Sequence, residues 1–326
     1  MAYFVVSYFG DFVIENLFST GLSGLGDRMK DKIKALLKKR NAIMLAHNYQ
    51  PPEIQDIADL CGDSLELSIR ASNTEAEVIL FCGVHFMAET ASILSPQKTV
   101  LLPRHDAGCL MADMITAEGL AAKIASLPPM PVVTYVNSTA DVKALSTICC
   151  TSANVVQVAN SLDAKEMLMT PDRNLAMYAA SQTEKKIHVW DGYCPSHERL
   201  KPRDVAAARD AHPEAIFMAH PECRPDILEI ADVIASTSGM IRHAKDSEAK
   251  SFIVGTELGL LHPLKKANPD KTFFPASDKM ICKNMKKITL DDILRSLKNM
   301  EGEVKVPEEI RKPALGAVER MIALSK

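Results

Sequence analysis

The feature that most limits how this chain can fold is a pattern that returns three times. Three apolar runs, AIMLAHNY at 42–49, PVVTYVN at 131–137 and AIFMAHPE at 215–222, each end in a cluster of polar, ring-bearing residues. Each is followed by a helix-like stretch, PPEIQDIADL, STADVKAL or RPDILEIADV, with prolines or caps near its start. A strand followed by a helix is the unit of parallel α/β folds. Counting forward from His47, Tyr135 and His220, a hydroxyl residue stands 17 places on every time: Ser64, Ser152 and Thr237. Each lies where a short apolar run gives way to another helix, which makes each an N-cap candidate. A third strand reads as VILFC (78–82), EMLMT (166–170) and SFIVG (251–255), and a fourth as TVLLP (99–103), IHVW (187–190) and TFFP (272–275). Soon after each fourth strand comes a cysteine, Cys109, Cys194 or Cys282, spaced 85 and 88 residues apart.

The expected architecture is therefore α/β: three homologous α/β/α domains with parallel four-stranded sheets, set around a pseudo-threefold axis. The expected boundaries are 28–115, 116–200 and 201–326, the last including two C-terminal helices at 289–299 and 307–325 that pack across the outside. Residues 1–27 read as an apolar, amphipathic extension, and GLSGLG (21–26) as a flexible joint. The extension carries Asp11 and Glu15 and lacks an early basic residue, which excludes a signal peptide or a membrane span.

Repetition changes the weight of each motif. In parallel α/β units the loops at the carboxyl ends of the strands form the ligand face, and the polar clusters, hydroxyl residues and cysteines all fall at those ends. Packed with those faces inward, the three units bring three thiols together. Three thiolates are one short of a closed structural zinc site and one short of the usual iron-sulfur set, and an open fourth position is where a catalytic metal takes substrate or water. The other cysteines, Cys61, Cys82, Cys149, Cys150 and Cys223, read as small buried hydrophobes of a reduced, cytosolic protein. His47 with Tyr49, Tyr135 with Asn137, and His220 with Glu222 offer acid/base groups of different intrinsic pKa. The helix N-termini beside them suit carboxylate or phosphate, so small anions are the expected ligands. A net charge of −3 gives no steering toward nucleic acid or an anionic membrane. Walker, H-E-x-x-H and G-x-S-x-G motifs are absent.

Taken in order, AHNYQPPEIQDIAD, GDSLELS, FCGVHFMAETASILSP, TYVNSTADVKA, TPDRNLAMY, WDGYCPSH, AHPEC, ASTSGMI and GTELGLLHPL resemble the quinolinate synthase family over about residues 28 to 325. The resemblance implies a cytoplasmic transferase of NAD biosynthesis that condenses iminoaspartate with dihydroxyacetone phosphate to quinolinate, phosphate and water. It implies one 4Fe-4S cluster held by Cys109, Cys194 and Cys282, with an open iron acting as Lewis acid. It implies substrate contacts from His47, Ser64, Tyr135, Val136, Asn137, Ser152, His220, Pro221, Glu222 and Thr237, with Ser152 and Thr237 anchoring phosphate or carboxylate. Tyr49 and Glu222 resemble the acid/base pair, assisted by His220, and His197 resembles a pocket residue on the cluster side. The partner it implies is the enzyme that supplies iminoaspartate. A C-x-x-C-x-x-C run found in some members is replaced here by CKNM, leaving Cys282 as sole candidate at that place. The rival readings are another 4Fe-4S hydro-lyase and a cluster-free small-anion binding protein.

Overall fold

The computed structural model describes residues 27–325. The expected extension, up to residue 26, and the glycine-rich joint lie outside the described residues, and residues 27–39 are helical. Three parallel four-stranded sheets follow. The first holds β1 (Ala42–His47), β2 (Leu60–Gly62), β3 (Val78–Cys82) and β4 (Thr99–Leu101) in the order β2-β1-β3-β4. The second holds β5 (Val132–Tyr135), β6 (Ile148–Cys150), β7 (Glu166–Thr170) and β8 (Lys186–Val189), and the third β9 (Ile216–Ala219), β10 (Val233–Ile234), β11 (Ser251–Gly255) and β12 (Thr272–Pro275). Strand order is the same in all three, and every neighbouring pair is parallel.

The composition of the strands explains this choice. β3 is buried at all five positions and β1 at five of six, so neither offers a polar face to water. Such strands are stable only in a sheet covered on both sides by helices, which is the parallel arrangement. Burying the side chains of Ile79, Leu80 and Phe81 contributes roughly 1.5–3 kcal/mol each.

The N-cap expectation is corrected by one or two residues. Asp63, not Ser64, caps helix Ser64–Asn73, accepting from the Leu65 and Glu66 N–H groups. Ser236, not Thr237, caps helix Thr237–Asp246, accepting from the Gly239 N–H. The helix after β6 begins at Val155 with Asn154 before it. A cap must precede the first helical residue, and Ser64 and Thr237 are already inside the first turn, which releases their hydroxyls from capping.

The C-terminal helices form at Leu290–Asn299 and Glu308–Ala323. The second presents Ala314, Ala317, Val318, Met321 and Ile322 to the core and packs on helices of both the first and second repeats. Between them, the chain at 302–304 runs antiparallel along the edge of β4: Leu102 N–H donates to Gly302 O and Val304 N–H to Val100 O, both at 2.8 Å. Gly302 has φ of 94°, and a Cβ there would stand 2.4 Å from the Leu102 carbonyl, so only glycine permits this approach. The tail thus covers an edge that would otherwise stay unpaired. Among the described residues, no helix is long and apolar enough to cross a membrane.

Candidate active site

The first strand of each sheet delivers its polar cluster to one cavity. β1 ends on His47, β5 on Tyr135, and β9 stops one residue before His220. The chain bends or turns straight after each strand, so that residues two apart come to face the same way. His47 and Tyr49, Tyr135 and Asn137, and His220 and Glu222 accordingly line the same cavity, together with Ser64, Ser152, Thr237, His197, Cys109, Cys194 and Cys282. The residues between them do not line it: Val136 packs in the hydrophobic core and Pro221 is buried. Thr237 is held across the repeats by the Asn48 amide, whose Nδ2 donates to its Oγ1 at 2.9 Å.

Two of the turns are copies of one another. The Tyr49 N–H donates to His47 Nδ1 at 3.1 Å, and the Glu222 N–H donates to His220 Nδ1 at 3.3 Å. With Nδ1 accepting, the neutral ring carries its proton on Nε2, and for His220 that nitrogen lies 3.2 Å from Ser152 Oγ. Burial lowers both imidazoles to about 3, so both are neutral at pH 7. Burial alone would raise Glu222, but attraction to His197 and hydrogen bonds from His197 and Tyr135 outweigh it and hold the carboxyl at about 2. Tyr49 and Tyr135 move the other way, pushed well above 10 by burial and by the Glu222 charge.

These groups form a continuous path. The Tyr49 hydroxyl lies 2.6 Å from Thr256 Oγ1, which lies 2.8 Å from His197 Nε2, and His197 Nδ1 lies 2.7 Å from Glu222 Oε2. Every member is nearly excluded from water, His197 completely. The consistent assignment runs Tyr49 O–H to Thr256, Thr256 O–H to His197 Nε2, and His197 Nδ1–H to Glu222. Thr256, which joins the two halves, was not legible as a site residue; its signal is its place just after β11, at the same carboxyl-end edge.

The three cysteines repeat a second local geometry. Cys194 caps helix Pro195–Glu198, Cys282 caps the turn Lys283–Lys286, and Cys109 leads into the turn Ala112–Met114. Main-chain N–H groups close to each sulfur favour its ionised form: those of Met111 and Ala112 at Cys109, of His197 at Cys194, and of Asn284 and Met285 at Cys282. Burial pushes the Cys109 thiol up to about 12, with nearby Cys282 adding to it. Cys194 is raised by burial, then by Glu222 and Cys109. Thiols that oppose one another's ionisation, yet each lie near N–H groups that favour the thiolate, fit a cationic centre that would accept them as thiolates. Cys194 Sγ, His197 Nδ1 and a Glu222 oxygen also fall within 4.8 Å of one another, a possible mixed donor set sharing one cysteine. Of the other cysteines, Cys82, Cys149, Cys150 and Cys223 are buried, while Cys61 is half-buried.

The depressed histidines predict acid lability. Between pH 6.5 and about 3 the unfolded chain binds protons on His47 and His220 that the folded chain refuses. Stability is therefore fully present above 6.5 and lost as pH falls, approaching about 1.4 kcal/mol per pH unit for each histidine. Urea midpoints should drop steadily from pH 7 to 4; a flat midpoint would contradict neutral burial of these rings.

The family described as Quinolinate synthetase A protein matches residues 31–323. The chain is 57% identical over 300 residues to the quinolinate synthase of Geobacter sp. (strain M21), covering 92% of this chain and 99% of that protein. It is 53% identical over 299 residues to the quinolinate synthase of Thermodesulfovibrio yellowstonii, covering 91% and 99%. With quinolinate synthase 1 of Methanosarcina acetivorans it shares 54% over 293 residues, covering 90% and 96%.

Proposed function

This chain belongs to the quinolinate synthetase A family, and from that membership we propose that it is a quinolinate synthase, a cytoplasmic transferase of NAD biosynthesis. It condenses iminoaspartate with dihydroxyacetone phosphate and releases quinolinate, phosphate and water. The observation that carries the reading is a single cavity drawing one cysteine and one polar strand end from each of three sheets.

Cys109, Cys194 and Cys282 are the residues we assign to a 4Fe-4S cluster. When bound, it would supply Lewis-acid chemistry toward a substrate oxygen. The chain's own groups account for the proton traffic. Glu222, held ionised, is the base, and Tyr49, held protonated, is the acid. A proton taken up at Glu222 has a route back to the Tyr49 oxygen through His197 and Thr256. Neutral His220 offers its Nε2–H as a hydrogen-bond donor. Asn137 Oδ1 is buried without a partner among the described residues, an acceptor suited to an N–H or O–H of substrate. Ser64 and Thr237, in the first turns of ten-residue helices, and Ser152 beside His220 suit the carboxylate and phosphate groups. Burial of Tyr49, His197, His220 and Glu222 keeps bulk water from imine and enamine species, and the instability of an imine in water is the reason to expect a nearby supplying enzyme.

The donor set of Cys194, His197 and Glu222 favours a second reading, a single metal ion at that corner. Anaerobically reconstituted protein should carry iron and inorganic sulfide in equal amounts and should form quinolinate from the two substrates, detected by chromatography. Metal without sulfide selects the second reading. Iron-sulfur-loaded protein that makes no quinolinate removes the assignment of activity.

A further inference from the structure

The cysteine loops of the second and third repeats share a fastening that the proton path does not use. Asp172 stands two residues beyond β7, and Glu257 two beyond β11. Asp172 is 2% exposed and Glu257 0%. Asp172 Oδ2 accepts the N–H of Cys194 at 3.1 Å, and Glu257 Oε1 accepts the N–H of Cys282, also at 3.1 Å. The second oxygen of each is anchored within its own repeat. Asp172 Oδ1 accepts the Leu175 N–H at 2.9 Å, capping helix Arg173–Ser181. Glu257 Oε2 accepts the Gly259 N–H at 2.7 Å and the Lys286 ammonium at 3.0 Å. Each carboxylate thus ties the end of a third strand to the cysteine after the fourth.

The first repeat lacks this device. Its matching position is Val84, two residues beyond β3 and 25 before Cys109, as Glu257 is 25 before Cys282 and Asp172 is 22 before Cys194. Valine offers no acceptor. The Cys109 loop is held instead through its neighbours: the His85 N–H donates to Ala107 O at 2.8 Å, and Asn284 Nδ2 donates to Gly108 O at 2.9 Å. Among the described residues, no side chain receives the Cys109 N–H.

We propose that Asp172 and Glu257 are positioning residues that fix Cys194 and Cys282 before any metal arrives, leaving Cys109 as the thiol that completes the set. A buried N–H whose carboxyl partner is removed is left unsatisfied, at a cost comparable to that of the lost hydrogen bond or more. Groups that orient metal ligands commonly change metal retention ten- to hundredfold when removed. What the thiols hold rests on the cluster reading above; the two fastenings belong to the folded chain itself.

Two measurements test this. In cluster-free full-length protein, amide exchange at Cys194 and Cys282 should be at least tenfold slower than at Cys109. In anaerobically reconstituted protein, Asp172→Ala, Glu257→Gln and the shortened Glu257→Asp should each lose iron to a chelator at least tenfold faster than wild type. Val142→Ala, a core truncation away from the cavity, should lower the melting temperature and speed iron release by much less than the Asp172 and Glu257 variants do, which separates positioning from general destabilisation. Equal exchange at all three cysteines, or wild-type iron retention in the folded variants, overturns the proposal. Should Asp172→Ala fail to fold, the exchange pattern and Glu257→Asp still decide it. Should the wild type bind no iron, the cluster reading fails alone, and the exchange pattern still judges the fastenings.

Discussion

Replacing Cys194 with serine should leave anaerobically reconstituted protein with at most a trace of iron and sulfide, whereas Cys150→Ser should load as the wild type does. The two cysteines look alike in sequence and differ in place. Cys194 lines the cavity and stands at the N-cap of the short helix Pro195–Glu198. Cys150 ends β6, is 0% exposed and does not line the cavity. A serine hydroxyl at 194 does not ionise near neutral pH and is a poor ligand for iron. At 150 it buries a hydroxyl in the core at a cost of about 1–3 kcal/mol, so the melting temperature falls while metal content holds. Iron and sulfide per chain, with the visible spectrum, read the difference; equal loss in both variants would mean that the ligands are assigned wrongly.

Glu222→Gln should lower kcat by roughly 10²–10⁴ while KM changes much less. The carboxylate is a point where the second and third repeats meet: it contacts His197 and His220, and Asn137 Nδ2 lies 3.5 Å from its Oε1. Glutamine keeps the size and removes the basic oxygen. Tyr49→Phe, which cuts the other end of the path, should fall by a similar factor. Because the two act on one route, the double variant should be scarcely slower than either single one. Additive losses would show that Tyr49 and Glu222 serve separate steps, and a Glu222→Gln enzyme within tenfold of wild type would remove Glu222 as the base.

Much of this architecture was legible because the chain repeats. The third strands, VILFC, EMLMT and SFIVG, coincide with β3, β7 and β11 residue for residue, since short apolar runs between turn signals leave little freedom in their ends. The 17-residue offset located the right helices but named the wrong caps, because a count along sequence does not tell a capping residue from the first helical one. Grouping Tyr135 to Asn137 and His220 to Glu222 as blocks did not resolve the bends after β5 and β9, in which Val136 and Pro221 are buried outside the cavity lining. Thr256, Asp172 and Glu257 lie after the third strand, where no polar cluster of the first repeat exists for comparison; Val84 breaks the pattern. Lys143 could not be read at all. It is completely buried, with its ammonium on the Ser138 carbonyl and 5.6 Å from the Phe86 ring, and nothing in STADVKAL marks it as an interior residue.

A centre assembled from one thiol per sheet also has a lifetime set by its weakest contributor. Proteins open in cooperative pieces whose free energies range from near zero to the global value. No two of these sheets hold all three thiols, so the transient opening of any one is enough to release what the others grip. The C-terminal helix braces the first and second repeats together. Retention should therefore follow the local opening rate of the least protected repeat, and a stabilising change elsewhere in the molecule would leave that rate untouched.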